Sequence, residues 1–328
     1  MKPSRISHVL QKLIKTRWPA FLWGPPGVGK SSVVKAVAET CKLELRDIRA
    51  PLLDPTDLRG LPYLKDGVAA WAPPSFLPSE PLSTGVLFFD ELNAAPPLVQ
   101  ASLYQLTLDR RIGEYILPPG WRIIAAGNRA EDGAVVFRMP SALANRFIHL
   151  DFEADFEDWA AWATTASINP LIQAFIRLRR ELLLNTTSMD RGFPTPRAWE
   201  MASDALESFD EPPAASLDVL IGIVGEGAAM EFTRFAENSL NAERVEAILA
   251  DPEKAALPTE LGDLYALVSF IASASKNDHV VKAAGRLLNR LTPEIGVMLT
   301  RQILRLRPEF ASDRGFVSFL RKHEVLLA

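Results

Sequence analysis

The 328-residue chain has one cysteine, Cys41. No internal disulfide can form, and a reducing cytoplasm is the expected compartment. His8, His149, His279 and His323 stand singly, without metal-ligand spacing, so no structural metal is expected beyond one carried by a bound nucleotide. No apolar run reaches the length of a membrane span, and the first residues lack the apolar core of a secretory leader; no membrane association is expected. Strong charge of one sign is missing as well. The net charge of −4 gives no global basic field for nucleic acid. Internal repeats and low-complexity tracts are absent too.

What remains is a composition of 48% hydrophobic and 23% charged residues, able to fill sizeable cores, over a length that suggests about two domains. The most informative stretch begins at Ala20–Trp23, a short apolar strand. It runs directly into Gly24, Pro25, Pro26, Gly27, Val28, Gly29, Lys30, Ser31 and Ser32. Val33, Val34, Val37, Ala38 and Cys41 then recur at helical spacing. The pattern G-x-x-x-x-G-K-[ST] thus sits between a strand and a helix, the context it requires. Its glycines let the backbone fold around a phosphate, with N–H groups and a helix N-terminus facing the anion. Lys30 can reach the β/γ-phosphates and Ser31 can ligate Mg²⁺. The motif predicts binding of a nucleoside triphosphate.

A helix is expected over Ile6–Ile14 and a strand over Leu43–Ile48. The segment Arg49–Pro78 is rich in proline and glycine and carries Leu61, Tyr63, Trp71 and Phe76, apolar groups outside any core pattern. Val86–Phe89 reads as a buried parallel strand ending in Asp90 and Glu91. There one carboxylate can hold the metal shell and its neighbour can polarise a water. Pro96 and Pro97 open a helix that runs to about Asp109. Two strands are expected over Ile112–Leu117 and Trp121–Ala126, joined through a Pro-Pro-Gly turn. The second leads to Asn128, which can position the water or contact the γ-phosphate, although asparagine is also a common turn residue. Arg146 follows a short helix before the strand Ile148–Leu150. On pattern alone an ordinary surface arginine competes there with a transition-state role. Arg197 opens a helix after a double proline break. Beyond Asp151 the strand signals give way to helical periodicity, as in Leu171, Phe175, Ile176 and Leu178. The arginine clusters Arg177, Arg179, Arg180 and Arg301, Arg305, Arg307 read as solvated helix faces.

In this order GPPGVGKSS, VLFFDELNAAPPLVQASLYQL, WRIIAAGN, PSALANRF and TPRAWE resemble an AAA+ ATPase, and more specifically the MoxR family, over roughly residues 18–205. The resemblance rests on Asp90-Glu91-Leu92-Asn93 with the Pro97–Gln100 helix start, an insertion matching Leu58–Phe76, and a hairpin matching Arg111–Trp121. With the helical periodicity beyond Asp151, the expected fold is α/β: an AAA+ P-loop core with a parallel sheet over 1–152, an all-helical lid over 153–245, and a helical C-terminal extension over 246–328, a tail longer than the lid common in the family. The resemblance makes Lys30 and Ser31 Walker A and Asp90 and Glu91 Walker B. Asn128 becomes sensor 1, Arg146 the trans arginine finger and Arg197 sensor 2. It further implies ATP and Mg²⁺, a hexameric ring, chaperone-like remodelling of a protein client, and a partner with a von Willebrand factor A-type domain. Asn145 and Arg129 depart from the aspartate and proline usual in the family. Arg129 therefore stands as a second candidate finger. The competing function is a nucleic-acid motor or loader, against which the acidic balance weighs.

Overall fold

The computed structural model describes residues 1–132, 136–187 and 191–323. The chain divides into two compact units, Met1–Ala154 and Asp155–Ala328.

The first unit opens with α1 (Pro3–Leu13), β1 (Ala20–Trp23), α2 (Lys30–Thr40), β2 (Glu44–Arg49) and the short α3 (Pro55–Arg59). The ribbon β3 (Leu61–Lys65) and β4 (Val68–Ala72) follows, then β5 (Gly85–Asp90) and α4 (Pro97–Asp109). Next come β6 (Arg111–Ile112), β7 (Tyr115–Ile116), β8 (Trp121–Gly127), α5 (Ser141–Ala144) and β9 (Ile148–Asp151). Five strands form one sheet in the order β2-β5-β8-β1-β9, and every pair in it is parallel. A parallel sheet needs cover on both faces. Leu87, Phe89, Ile123, Ala125 and Phe21 point to one face, where Val99, Leu103 and Leu106 of α4 and Leu143 of α5 pack. Ile6, Leu10, Val34 and Val37 of α1 and α2 are buried as well, and α2 packs on β2, β5 and β8. Double cover explains why every residue of β5 is buried.

Register aligns the carboxyl ends of the strands. Trp23 pairs with Gly127, and Arg49 with Asp90. The turns leaving β1, β2, β5 and β8 therefore open on one edge of the sheet, where ligands of open α/β folds bind.

One expectation for this unit changes. Ile112–Leu117 is not one strand. It is a tight antiparallel hairpin in which Arg111 pairs with Ile116 and Ile112 with Tyr115, turning at Gly113 with φ +56°. The hairpin is tied down by Tyr115, whose hydroxyl donates to the Pro78 carbonyl at 2.8 Å. For the proline-rich insertion the sequence offered no elements. The insertion contains the antiparallel β3–β4 ribbon, closed by Asp66 and Gly67 with φ of +53° and +77°. Positive φ at both central residues is the turn geometry that matches the twist of a hairpin.

The second unit is helical: α6 (Phe156–Thr165), α7 (Pro170–Leu178), α8 (Pro196–Phe209), α9 (Leu217–Val224), α10 (Glu226–Asn238), α11 (Ala242–Ala250), α12 (Leu261–Ser273), α13 (Asp278–Leu287), α14 (Pro293–Leu306) and α15 (Arg314–His323). Phe175 contacts Trp199, Phe232 and Phe235 at centroid distances of 5.4–5.6 Å. Ala174 of α7 shares a core with Ala266, Leu267 and Ile271 of α12 and Leu299 and Ile303 of α14. The solvated-face reading fails for Arg177. Its guanidinium lies 5.0 Å from the Phe156 ring and 5.9 Å from the Tyr265 ring, and burial lowers its pKa. Arg307 is engaged too: it donates to Asp278 at 2.6 Å and to the carbonyls of Ser275 and Lys276 at 3.2 and 3.0 Å.

Candidate functional site

The loop Gly24–Gly29 leaves β1 and feeds α2, whose N-cap is Gly29 with φ +104°. That angle is strained for any residue with a side chain. The first turn of α2 presents Lys30 and Ser31. Lys30 is only 8% exposed, and its Nζ donates to Gly24 O at 2.6 Å, Pro25 O at 2.9 Å and Asn128 Oδ1 at 2.8 Å. The buried ammonium thus links the turn after β1 to the turn after β8.

Ser31 Oγ donates to Asp90 Oδ2 at 2.6 Å. Asp90 is 3% exposed; its Oδ1 accepts the Glu91 N–H at 2.9 Å, and its Oδ2 also accepts from the Arg49 guanidinium. Arg49 Nη2 lies 3.9 Å from Asp47 Oδ2. Partial burial raises the pKa of Asp47, Arg49 draws it down and Asp90 pushes it up. Glu91 adopts φ +57°, a left-handed conformation that costs a non-glycine residue roughly 1–2 kcal/mol. Its side chain is exposed. Strain of this kind is characteristic of working sites.

The structure therefore brings Gly24–Ser32, Asp90, Glu91 and Asn128 together. A hydroxyl and a carboxylate in contact form a hard-oxygen pair that suits Mg²⁺, and Lys30 supplies a fixed cation for phosphate. Among the described residues no cluster of three or more His, Cys, Asp or Glu could hold a metal. A metal here would need further ligands from water or the nucleotide. Arg146 is half-buried, leans over the Tyr104 ring at 5.7 Å and reaches its hydroxyl at 3.4 Å; its Nε is buried without a partner. Arg129 is committed within the chain, donating to Asp151 Oδ1 at 2.8 Å, a bond that raises its pKa. Arg197 lies exposed in the first turn of α8, in the helical unit.

Two residues escaped the sequence reading. Arg49 was only the first residue of the proline-rich segment that follows the expected strand; its place opposite Asp90 comes from the β2–β5 register. Asn93 was a motif letter. Its Nδ2 donates to the Asn128 carbonyl at 2.7 Å, and its backbone carbonyl accepts the Phe137 N–H at 2.8 Å. Asn93 so braces the turn that carries Asn128. The brace passes so close to Gly127 that a Cβ there would meet Asn93 Oδ1 at 2.1 Å.

Residues 19–147 match the family described as AAA domain (dynein-related subfamily). Protein MoxR of Methylorubrum extorquens is 32% identical over 151 residues, 44% of this chain and 43% of that protein. Midasin of Giardia intestinalis is 31% identical over 149 residues, 43% of this chain and 3% of that protein. The aligned stretch thus spans less than half of either curated relative. Among solved structures, the RuvB Holliday junction branch migration motor of Thermotoga maritima is similar with a TM-score of 0.37 and 17% identity, covering 81% of this chain and 80% of that one.

Gly127→Ala is expected to force the Asn93 brace apart. It should lower stability by roughly 1–3 kcal/mol, the usual cost of overpacking. Urea unfolding of the purified protein measures this; an unchanged midpoint would show that the brace yields without cost. The matched model shows an AAA domain over residues 19–147, with its phosphate loop at the edge of the parallel sheet, and this stretch is similar to Protein MoxR.

Proposed function

We propose that this chain binds ATP with Mg²⁺ and hydrolyses it to ADP and phosphate, using the cycle in a ring to remodel or activate a protein client. The observation that carries the reading is the convergence of Lys30, Ser31, Asp90 and Asn128 beside an exposed, left-handed Glu91. Gly24–Ser32 would cradle the phosphates with backbone N–H groups. Lys30 would hold the β/γ-phosphates, exchanging carbonyl partners for phosphate oxygens. Ser31 and Asp90 would hold the Mg²⁺, which when bound neutralises developing phosphate charge. Glu91 would accept a proton from the attacking water, and Asn128 would orient that water or the γ-phosphate.

Lys30→Ala should lose ATP binding. Glu91→Gln should bind ATP normally yet turn it over at least about 100-fold more slowly, because an amide keeps the shape but accepts a proton poorly. Nucleotide titration and phosphate release measure the two. Wild-type turnover in Glu91→Gln would remove Glu91 from the role.

Arg146 is proposed to act on a neighbour's γ-phosphate, leaving Tyr104 to do so, and an arginine finger contributes on the order of 10³–10⁵ in rate. The closed ring, a hexamer by resemblance, gives every site one. Arg197, in a lid taken as 153–245 with 246–328 built onto it, would couple nucleotide state to lid angle within its own subunit. Mixing the inactive Lys30→Ala and Arg146→Ala proteins should restore partial turnover, since a mixed ring can set an intact pocket beside an intact finger. Failure to recover activity in rings shown to be mixed would reassign the finger, with Arg129→Ala as the next variant.

The β3–β4 ribbon is proposed to meet the client or a von Willebrand factor A-type partner. Leu61, Leu64 and Val68 are 76%, 80% and 69% exposed, an apolar display that a monomer gains nothing from. Deleting Tyr63–Asp66 should spare basal turnover and abolish its stimulation by a client. Collapse of basal turnover together with unfolding would make the ribbon structural.

A further inference from the structure

Arg49 closes β2 directly opposite Asp90 at the end of β5. Its guanidinium occupies Asp90 Oδ2, the same oxygen that accepts the Ser31 hydroxyl at 2.6 Å. Asp90 Oδ1 is meanwhile taken by the Glu91 N–H at 2.9 Å. The carboxylate is thus pinned from both sides, and its side chain is only 5% exposed against 46% for Arg49. In this pair the cation is the partner free to move. A second carboxylate stands ready for it: Asp47 Oδ2 lies 3.9 Å from Arg49 Nη2, on the same strand and 40% exposed.

We propose that Arg49 competes with the divalent cation for Asp90 and transfers to Asp47 when metal and nucleotide arrive together. The inference rests on the ATP–Mg²⁺ reading of Ser31 and Asp90. A guanidinium stays protonated at any physiological pH. A divalent ion beside Ser31 and Asp90 would therefore face a permanent unit charge at contact range, in a site screened less than bulk water. The metal alone gains one carboxylate and must displace Arg49 to get it. The metal with a nucleotide brings several negative charges, which offset the repulsion and leave Arg49 to the exposed Asp47. Arg49 is by this account a positioning residue: it makes metal binding conditional on nucleotide. It need touch no reacting atom.

The test is Mn²⁺ binding to the full chain, followed by the electron paramagnetic resonance signal of free Mn²⁺, with and without saturating ADP. Arg49→Gln and Arg49→Ala remove the charge at a half-exposed strand end, and Arg49→Lys keeps it. The two neutral variants should bind Mn²⁺ about tenfold tighter than wild type, with the larger gain in the absence of ADP. Arg49→Lys should stay close to wild type. Affinity for ADP in EDTA should be the same in all four proteins. Unchanged or weaker Mn²⁺ binding in both neutral variants would overturn the proposal. So would a loss of metal-free ADP affinity, which would place Arg49 on the phosphates. Asp90→Asn reports on the underlying reading. If it binds Mn²⁺ with ADP as well as wild type does, Asp90 is no metal ligand, and the ATP–Mg²⁺ assignment falls together with the inference. If Asp90→Asn loses Mn²⁺ while the neutral Arg49 variants match wild type, only the inference falls.

Discussion

A lysine ammonium buried at the edge of the sheet requires oxygen partners on every side, and the arrangement of the first unit follows from meeting that demand. Leaving such a charge without partners in a desolvated site costs several kcal/mol. Gly24 O, Pro25 O and Asn128 Oδ1 meet the need at 2.6–2.9 Å. They can do so only because β1 and β8 are adjacent and parallel, with Trp23 level with Gly127. Any slip in that register would move Asn128 off the ammonium. The Asn93 side chain, holding the Asn128 carbonyl, transmits the constraint to the turn after β5. Three loops far apart in sequence are thereby fixed by a few polar contacts around one charge.

The neighbouring carboxylate obeys the same logic with opposite sign. Asp90 receives the Ser31 hydroxyl, the Glu91 N–H and the Arg49 guanidinium, so its lone pairs are well used. Two of those donors, Ser31 and Glu91, are fixed by the helix start and by the backbone itself. Arg49 alone sits on a long stem facing solvent. A site built this way is rigid where geometry must be kept and loose where charge must be exchanged.

Much of this could be read from the residues. The phosphate loop is legible because few sequences put glycines, lysine and serine at that spacing between an apolar strand and a helix. The strand Val86–Phe89 is legible because cover on both faces leaves no polar alternation. The rest hides in contacts between distant segments. Opposing Arg49 to Asp90 is a property of strand pairing and leaves no local mark. Asn93 looks like any polar turn residue until its partner, the Asn128 carbonyl, is located. Arg177 carries a charge that suggests solvent, yet its guanidinium lies against two aromatic rings, Phe156 and Tyr265, a contact in which ring faces attract a cation. The β3–β4 ribbon did carry a local signal. Asp66-Gly67 is a hairpin turn pair, and it was masked by the prolines around it.

Among the described residues that ribbon pairs only with itself, and none of residues 61–72 belongs to the core beneath the sheet. An isolated two-stranded ribbon is marginal in water, and local opening is cheapest where buried contacts are fewest. β3 and β4 can therefore part without disturbing the five-stranded sheet. In a cell this makes the segment the natural entry point for a protease, and a cut there would leave the phosphate loop and its sheet folded. The same weakness exposes backbone N–H and C=O groups along both outer edges, ready to pair with an extended strand from another chain.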